Sequence, residues 1–597
     1  MIRRPLRPLA RIIRARAEGD DPRRIEAEER AARLRGQRAL ERQRAELRLL
    51  LVCAMFVLLF GVVGARMTLL AASDPLEPRA SGLDTHIFAQ RANIVDRNGS
   101  ILATNLVTAS LYAQPRLMVD KKAAAEGLAR IFPDLDSGEM LEKFSSGRKF
   151  LWIKRKLSPE QRQAVHDLGE PGLLFGPREL RLYPNGRLAS HILGGAGFGR
   201  EGVHAAEIVG TAGVERQFDA RLRDPKTVNE PLRLSIDLSV QGAIERVLDG
   251  GMKVMNARGA AAVLMEADTG RIIALASLPD FDPNHRPLPF VSGDPSLSPL
   301  FNRAAQGVYE LGSTFKIFTA ALAMESGLAT PDTMVDTRGP LIWGKYKIRD
   351  FRDHGPRLSL TDVIVKSSNI GAAQLAVEAG AKAQQDFLRQ LGLFEPTPLQ
   401  LPESAAARPL LPPNWSELST MTVSYGHGIA ATPVHLAAAY ATIANGGLRV
   451  RPTLLNDARV PDESDRVISE RTSRHVRSML RQVVTRGTAS LGEVAGYQVG
   501  GKTGTADKPK PGGGYYRHRV IATFASIFPA LDPKYVLVVA LDEPEERSGR
   551  KPRRTAGWTA VPVAAEIIRR IAPLMDMRPM RDDERDGSGS GVTLARN

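Results

Sequence analysis

Cysteine is nearly absent from this chain of 597 residues, which has only Cys53. A single cysteine forms no intramolecular disulfide, and the thiolate sites of zinc fingers need several. Because Cys53 falls inside a long apolar run, the polar body of the chain has no cysteine at all. Cysteine proteases and zinc fingers are therefore excluded.

Acidic residues are outnumbered by basic ones, 66 against 82, and the formal net charge is +16. The imbalance is strongest in residues 1–48, which contain fifteen arginines and eight acidic residues. A basic arm can bind nucleic acid, but the apolar run that follows it favours a role beside a membrane. We therefore expect no nucleic-acid partner, and a solvated helix over residues 21–48.

The apolar run L-L-L-V-C-A-M-F-V-L-L-F-G-V-V-G-A covers residues 49–65 without a charge, and it resumes after Arg66 as far as residue 72. About 20 apolar residues cross a bilayer core, and Arg66 can extend toward the interface. We predict a transmembrane helix over residues 49–72. The alternatives are a buried core helix or a cleaved signal peptide, which has a shorter apolar segment. The arginine-rich side is expected in the cytoplasm, with the rest of the chain outside.

The remaining chain is too long for one ordinary core. Asn98-Gly99 between apolar alternations predicts a β-hairpin near the start of a mixed region that covers residues 73–229. From residue 230 a second domain begins with a helix over 238–256. Five strand candidates follow in this domain, at residues 260–267, 271–277, 497–505, 519–528 and 535–541. Helices between the two strand groups predict an α+β fold with an antiparallel sheet covered by helices, over residues 230–575. We expect the tail, residues 576–597, to be disordered.

The segment Y-E-L-G-S-T-F-K-I-F-T-A-A-L-A-M-E-S-G, residues 309–327, places Ser313 and Lys316 one helical turn apart at the start of an apolar helix. S-x-x-K alone is a weak signal, since Ser146 and Lys149 repeat it in a polar stretch that reads as a loop. A hydroxyl beside an amine at a helix start is the layout of an activated serine nucleophile.

A lysine acts as a base only when it is neutral, so its pKa must fall well below the ordinary value of about 10.4. Burial and a second nearby cation both lower the pKa of a lysine. We predict that Lys316 is buried for this reason and that Lys502 is the second cation.

Lys502 lies in Y-Q-V-G-G-K-T-G-T-A-D, residues 497–507. Glycines weaken a strand unless another backbone approaches closely. With the hydroxyls of Thr503 and Thr505, this pattern favours an edge strand that docks an extended peptide and captures a carboxylate. An ordinary strand and turn rich in glycine and threonine is the alternative.

A third short motif, V-K-S-S-N-I-G-A-A, holds Ser367 and Asn369 between two helical segments. Alone it indicates only helix caps, which favour serine and asparagine. Its value comes from the order S-x-x-K, S-x-N and K-T-G along the chain.

This ordered set resembles the penicillin-binding proteins and serine β-lactamases. Five further segments resemble class B penicillin-binding proteins: N-R-A-A-Q-G-V-Y-E-L-G-S-T-F-K at 302–316, V-D-R-N-G at 95–99, R-L-Y-P-N-G at 181–186, G-V-E-R-Q-F-D at 213–219 and G-I-A-A-T-P-V-H at 428–435. The Y-E-x-G-S-T-F-K form is similar to the division-specific, FtsI-type transpeptidases. Leu311 and His435 depart from the family, which usually has proline and glutamine there.

The resemblance implies a single transmembrane helix, an elongated mixed α/β pedestal resembling the family's dimerisation domain, and a transpeptidase domain with a five-stranded antiparallel sheet. It also implies that Ser313 attacks the D-alanyl-D-alanine bond of a peptidoglycan stem peptide while Lys316 takes its proton. Ser367 would pass a proton to the leaving D-alanine, and Asn369 would steady the backbone of the donor peptide. Lys502, Thr503 and Thr505 would hold the terminal carboxylate, with Gly504 in the same substrate-binding strand. The backbone N–H groups of Ser313 and Thr505 would form the oxyanion hole, and no metal or cofactor is implied. His427 is not needed as a base.

The implied partners are stem peptides, β-lactams as covalent inhibitors, the bacterial inner membrane, a SEDS-type glycan polymerase and other divisome proteins. The catalytic domain is expected in the periplasm. Three alternatives remain: an elongation-specific class B transpeptidase, a catalytically silent β-lactam-binding scaffold or sensor, and a β-lactamase. A sensor normally needs a cytoplasmic module, and a β-lactamase needs a base for deacylation and has no use for the pedestal.

Overall fold

The computed structural model describes residues 7–19, 23, 27–28, 31, 48–68, 91–201, 206–397, 399–510 and 512–580. The helix predicted over residues 21–48 therefore lies mostly outside the described residues, as do residues 69–90 and the tail from residue 581. The described chain forms two compact units. One contains the two amino-terminal helices with Ala113–Leu151 and Glu170–Gly172, and the other contains the remaining described residues.

Two helices begin the first unit, α1 (Arg7–Glu18) and α2 (Arg48–Thr68). Helix α2 has a mean hydropathy of 2.5 over its most apolar stretch and no buried residue there, so it is long and apolar enough to cross a membrane. It begins one residue before the predicted span. Helix α1 was not predicted.

The same unit contains a helical pair, α3 (Lys121–Ile131) and α4 (Ser137–Ser145). Asp120 caps α3 by accepting hydrogen bonds from two backbone N–H groups, and Asp136 caps α4 in the same way with one. Buried Leu128 and Phe144 contribute to its apolar interior. Residues 146–149 follow α4 as a loop, as predicted for the second S-x-x-K pattern.

The second unit begins with a five-stranded mixed sheet. Its strands are β1 (Ile94–Val95), β2 (Ile101–Ala113), β3 (Leu151–Leu157), β4 (Leu173–Leu182) and β7 (Leu232–Arg233). Between β4 and β7 lie β5 (Gly195–Glu201) and β6 (Ala206–Ala212), which form a hairpin. The predicted Asn98-Gly99 hairpin is present, because β1 pairs antiparallel with β2 and Gly99 has a φ of +92°. The accompanying helices are α5 (Pro159–His166), α6 (Ser190–Leu193), α7 (Gly213–Gln217) and α8 (Asp219–Arg223).

A buried ion-pair network holds this region together. Glu215 accepts hydrogen bonds from Arg91 and Arg181, each at 2.6 Å, and all three side chains are almost completely buried. Arg91 also pairs with Asp219 at 2.7 Å. The network thus joins two of the family-like segments, R-L-Y-P-N-G and G-V-E-R-Q-F-D, to the start of the described sheet.

The second sheet of this unit has five antiparallel strands in the order β14-β15-β16-β8-β9. Their bounds are β8 (Gly259–Glu266), β9 (Ile272–Leu278), β14 (Gly500–Pro509), β15 (Tyr515–Phe528) and β16 (Tyr535–Asp542). All five predicted strands are therefore confirmed, although β14 is displaced toward the carboxyl end of its predicted range. Strand β14 pairs with β15 alone, so it is an edge strand.

Helices cover this sheet. The set consists of α9 (Leu238–Val254), α10 (Lys316–Glu325), α11 (Leu360–Lys366), α12 (Asn369–Ala379), α13 (Ala381–Gln390), α14 (Glu417–Val423), α15 (Pro433–Ala444), α16 (Glu470–Arg486) and α17 (Ala560–Ile571). Helices α9, α15, α16 and α17 pack directly on the strands, and α10 packs on α12 and α16. The predicted α+β fold is confirmed.

Two small two-stranded sheets between α10 and α11 were not predicted. They are formed by β10 (Met334–Asp336) with β13 (Arg357–Ser359) and by β11 (Leu341–Trp343) with β12 (Tyr346–Ile348). Strands of three residues are too short to show an alternating pattern, so the sequence gives no signal for them.

Candidate active site

Ser313 lies in the 3₁₀ turn Gly312–Phe315, immediately before α10. The turn starts at Gly312 with a φ of +57°, and a Cβ there would come within 3.0 Å of the Thr505 carbonyl oxygen. Glycine is therefore required both by its conformation and by the close approach of β14. The Ser313 side chain is half-buried, at the boundary between the core and the solvent.

Lys316 is the first residue of α10 and is completely buried. Its Nζ lies 2.6 Å from the Ser367 carbonyl oxygen, 3.0 Å from Ser367 Oγ and 2.7 Å from Asn369 Oδ1. Two residues of the S-x-N motif therefore surround the amine, which has no carboxylate partner among the described residues.

Burial lowers the pKa of Lys316 well below its ordinary value, and the nearby charge of Lys502 lowers it further. Asp350 acts in the opposite direction. Burial also lowers the pKa of Lys502, to about 7. Lys502 therefore lies near Lys316, as predicted from the sequence. With a pKa of about 7, Lys502 is itself close to losing its proton at neutral pH.

Ser367 occupies the point where α11 ends, in the left-handed conformation with a φ of 64°. This conformation is uncommon outside glycine, asparagine and aspartate, and non-glycine examples are concentrated at functional sites. Ser368 then caps α12 by accepting a hydrogen bond from Gly371 N. The turn between the two helices brings Ser367 and Asn369 to the same amine.

Asp350 was missed by the sequence analysis, although it holds this turn in place. Its carboxylate accepts hydrogen bonds from Ser368 Oγ at 2.6 Å, Asn369 N at 2.6 Å and Ile370 N at 3.0 Å. The neighbouring Arg349 carbonyl oxygen accepts one from Asn369 Nδ2 at 2.9 Å. No sequence signal marks Asp350, because it lies in a loop about 20 residues before its partners.

Strand β14 brings the K-T-G residues to the other side of Ser367. Lys502 is completely buried, and its Nζ lies 2.9 Å from Ser367 Oγ and 3.1 Å from the Thr503 carbonyl oxygen. A Cβ on Gly504 would collide with the Leu311 carbonyl oxygen, so the predicted close backbone approach exists. Ser367 Oγ is thus within hydrogen-bond distance of both lysines.

The two threonines differ in their present contacts. Thr503 Oγ1 lies 2.7 Å from Thr488 Oγ1, and Thr505 Oγ1 accepts a hydrogen bond from Ala556 N at 3.0 Å. Thr503 is buried, whereas Thr505 is half-buried on the edge strand next to Ser313. Both hydroxyls keep a free donor or acceptor for a ligand.

The remaining noted residues lie outside this cluster of hydrogen bonds. Burial lowers the pKa of His427, which favours its neutral form. His435 hydrogen-bonds Thr432 Oγ1 and the Glu395 carbonyl oxygen, and it caps α15. Leu311 is buried, and its carbonyl oxygen accepts a hydrogen bond from Thr314 Oγ1. Both departures from the family pattern thus have structural roles.

Comparison with known protein families gives a match in each of two regions of the chain. The family model of the penicillin-binding protein transpeptidase domain matches residues 260–569, and the family model of the penicillin-binding protein dimerisation domain matches residues 86–230. The chain belongs to the class B penicillin-binding proteins. Its transpeptidase match contains Ser313, Lys316, Ser367, Asn369 and Lys502.

Relatives extend over most of this penicillin-binding protein. The probable peptidoglycan D,D-transpeptidase FtsI of Caulobacter vibrioides is 35% identical over 87% of both chains. The peptidoglycan D,D-transpeptidase FtsI of Escherichia coli is 27% identical, over 83% of this chain and 85% of its own length. Helix α2 is the one candidate span among the described residues, and together with these relatives it indicates a single-pass membrane protein.

Solved structures agree with these matches. The crystal structure of penicillin-binding protein 3 from Mycobacterium tuberculosis, complexed with aztreonam, superposes with a TM-score of 0.62 at 27% identity. The match covers 83% of this chain and 98% of that one.

Proposed function

We propose that the protein is a peptidoglycan D,D-transpeptidase that cross-links stem peptides at the division septum through an acyl-enzyme on Ser313. One observation carries the proposal: Ser367 Oγ lies within hydrogen-bond distance of two buried lysine amines, and one of these lysines, Lys316, directly follows the turn that holds Ser313. The relatives named FtsI support the substrate and the division role.

Acylation begins with Ser313 Oγ attacking the carbonyl carbon between the two terminal D-alanines. Neutral Lys316 accepts the hydroxyl proton, which its lowered pKa allows. The C–N bond then breaks, and the departing D-alanine nitrogen takes a proton. Ser367 delivers that proton and recovers it from the lysine pair, because its hydroxyl lies between Lys316 and Lys502.

Strand β14 binds the donor in this proposal. Its unpaired edge accepts the stem peptide as an additional strand. Lys502, Thr503 and Thr505 hold the terminal carboxylate, with Gly504 leaving room for the close approach of backbone. The N–H groups of Ser313 and Thr505 stabilise the oxyanion, and Asn369 steadies the donor while it orients Lys316.

Deacylation reverses these roles. An amine of a second stem peptide attacks the ester carbon, its proton passes to Lys316, and Ser313 Oγ leaves with a proton returned. A peptide bond replaces the ester, which completes the cross-link in two half-reactions. A β-lactam that enters by the same route leaves Ser313 acylated.

The membrane arrangement follows from the charge of the amino terminus. Residues 1–48 lie in the cytoplasm, residues 49–72 cross the inner membrane, and the catalytic domain lies in the periplasm. Residues 73–229 form the pedestal and residues 230–575 the transpeptidase domain. A SEDS-type glycan polymerase and other divisome proteins are the partners expected for the membrane helix and pedestal.

Covalent labelling by a fluorescent penicillin tests the function. The wild-type protein should be labelled, and Ser313→Ala should abolish the label, because no other serine occupies this turn. The chain provides a matched control in Ser146→Ala, which alters the same S-x-x-K pattern in an exposed loop and should label normally. Persistent labelling of Ser313→Ala would refute the assignment of the nucleophile.

A further inference from the structure

An open pocket of about 620 Å³ lies beside the turn that carries Ser367 and Asn369. Its walls are residues 337–340, 349–350 and 352–356, with Ile370. In this wall, the Asp350 carboxylate accepts hydrogen bonds from Ser368 Oγ and from the backbone N–H groups of Asn369 and Ile370. The Arg349 carbonyl oxygen accepts one from the Asn369 side chain. Because Asn369 Oδ1 also contacts Lys316 Nζ, a single side chain connects the pocket wall to the buried amine.

Two cations in this wall have no bound counter-charge. The side chains of Arg349 and Arg352 are exposed, and neither forms an ion pair or a side-chain hydrogen bond with any residue that the structure describes.

Each of the other acidic and arginine side chains of the pocket has a hydrogen-bond or ion-pair partner. Arg338 pairs with Asp336, and the Asp350 carboxylate is occupied by the backbone of the turn. Asp353 Oδ1 accepts a hydrogen bond from Gly355 N at 2.9 Å. Arg349 and Arg352 are therefore the two arginines of this wall that remain without an ion pair and can bind an anionic ligand.

We propose that this site, which we name the Arg349–Arg352 pocket, binds a carboxylate carried by an internal residue of a stem peptide. The inference rests on the function proposed above and names a second contact for the same substrate. The terminal carboxylate of the donor has its own site at Lys502, so a different carboxylate must be the ligand here. A guanidinium group matches the planar, two-oxygen geometry of a carboxylate.

The internal carboxylate belongs either to the donor stem peptide or to the acceptor. Both have the same chemistry at the pocket, and the two half-reactions distinguish them. A donor contact affects the KM of the donor peptide, whereas an acceptor contact affects only transfer to the amine.

The test compares the full-length enzyme with R349Q/R352Q on synthetic donor and acceptor peptides, each made with a free internal carboxylate or with its amide. We expect the KM of one carboxylate peptide to rise roughly three- to tenfold in the variant, as for the loss of exposed charge pairs. The KM of the amide peptides should not change. R474Q, which removes an exposed arginine from α16, is the control for net charge.

Fluorescent penicillin separates this inference from the proposed function. If the wild type is labelled and R349Q/R352Q leaves the KM of both carboxylate peptides unchanged, the pocket assignment is overturned while the transpeptidase stands. Equal changes for carboxylate and amide peptides would overturn it too. R352Q alone carries the test if the double variant loses the label, since Arg352 has no side-chain partner in the described fold.

Discussion

Two buried pairs of cations occupy different regions of this protein, and they are built in opposite ways. Arg91 and Arg181 share the carboxylate of Glu215, with nitrogen–oxygen distances of 2.6 Å. Lys316 and Lys502 share the hydroxyl of Ser367, at 3.0 and 2.9 Å, and no described carboxylate forms an ion pair with either amine.

The difference shows how one kind of buried charge serves structure and another serves chemistry. Arginine keeps its proton under all ordinary conditions, so a buried arginine needs a counter-charge. Lysine can instead respond to burial by losing its proton. The pair without a carboxylate is therefore the pair with lowered pKa values. Lys316 directly follows the turn that carries Ser313, the proposed nucleophile.

The largest effect is expected from removing the neutral amine. Lys316→Arg keeps a long nitrogen-bearing side chain, but its guanidinium group stays protonated and does not act as a base at neutral pH. Acylation by a fluorescent penicillin should slow by about a hundred- to ten-thousandfold, the usual contribution of a general base. Rapid-mixing measurements of labelling check this.

Steric disruption by the larger arginine is controlled with Lys316→Met, which fits the same buried space without a charge. Both variants should lose acylation while thermal unfolding remains cooperative. Wild-type acylation rates in either variant would mean that the amine has only a structural role.

Glu215→Gln breaks the other pair and should change stability instead of chemistry. The substitution keeps the size of the side chain but leaves two buried arginines without their shared counter-charge. Losing one partner of a buried ion pair costs about 3 to 5 kcal/mol in the free energy of unfolding. Denaturant titration measures this change, and folded protein should still be labelled by penicillin at the wild-type rate.

The graded control for this variant is Asp219→Asn, which removes the partly exposed partner of Arg91. Its cost should be clearly smaller, because a partly solvated pair contributes less. Equal losses in the two variants would show that burial of Glu215 does not determine the strength of the network.

Features with a local or periodic pattern could be predicted from the sequence. The five strands of the catalytic sheet alternate or are continuously apolar, and each was found close to its predicted range. The S-x-x-K, S-x-N and K-T-G order identified Lys316 and Lys502, the two amines that the fold brings to one hydroxyl, Ser367 Oγ.

Features that depend on contacts between residues far apart in the sequence, or on loops without regular secondary structure, could not be predicted. Asp350 acts through hydrogen bonds to a turn 18 to 20 residues later, and a lone aspartate in a loop carries no signal for this role. The first and last residues of β14 differ from the predicted range because pairing with β15, and not glycine content, determines where the strand begins and ends. The Arg349–Arg352 pocket depends on the same irregular loop.

The smallest effect is expected when Lys502→Met removes the second lysine of the pair. Loss of a charged hydrogen bond to Ser367 should lower the rate of penicillin acylation about ten- to a hundredfold.

The pH profile of acylation in Lys502→Met gives the sharper test. Acylation needs neutral Lys316, so the rate falls as the pH drops below the pKa of that amine. The charge of Lys502 lowers this pKa, and Asp350 opposes it. Removing Lys502 should therefore raise the pKa and move the acidic limb of the profile to higher pH. An unmoved limb would show that burial alone discharges Lys316, and that the second lysine acts only on the substrate.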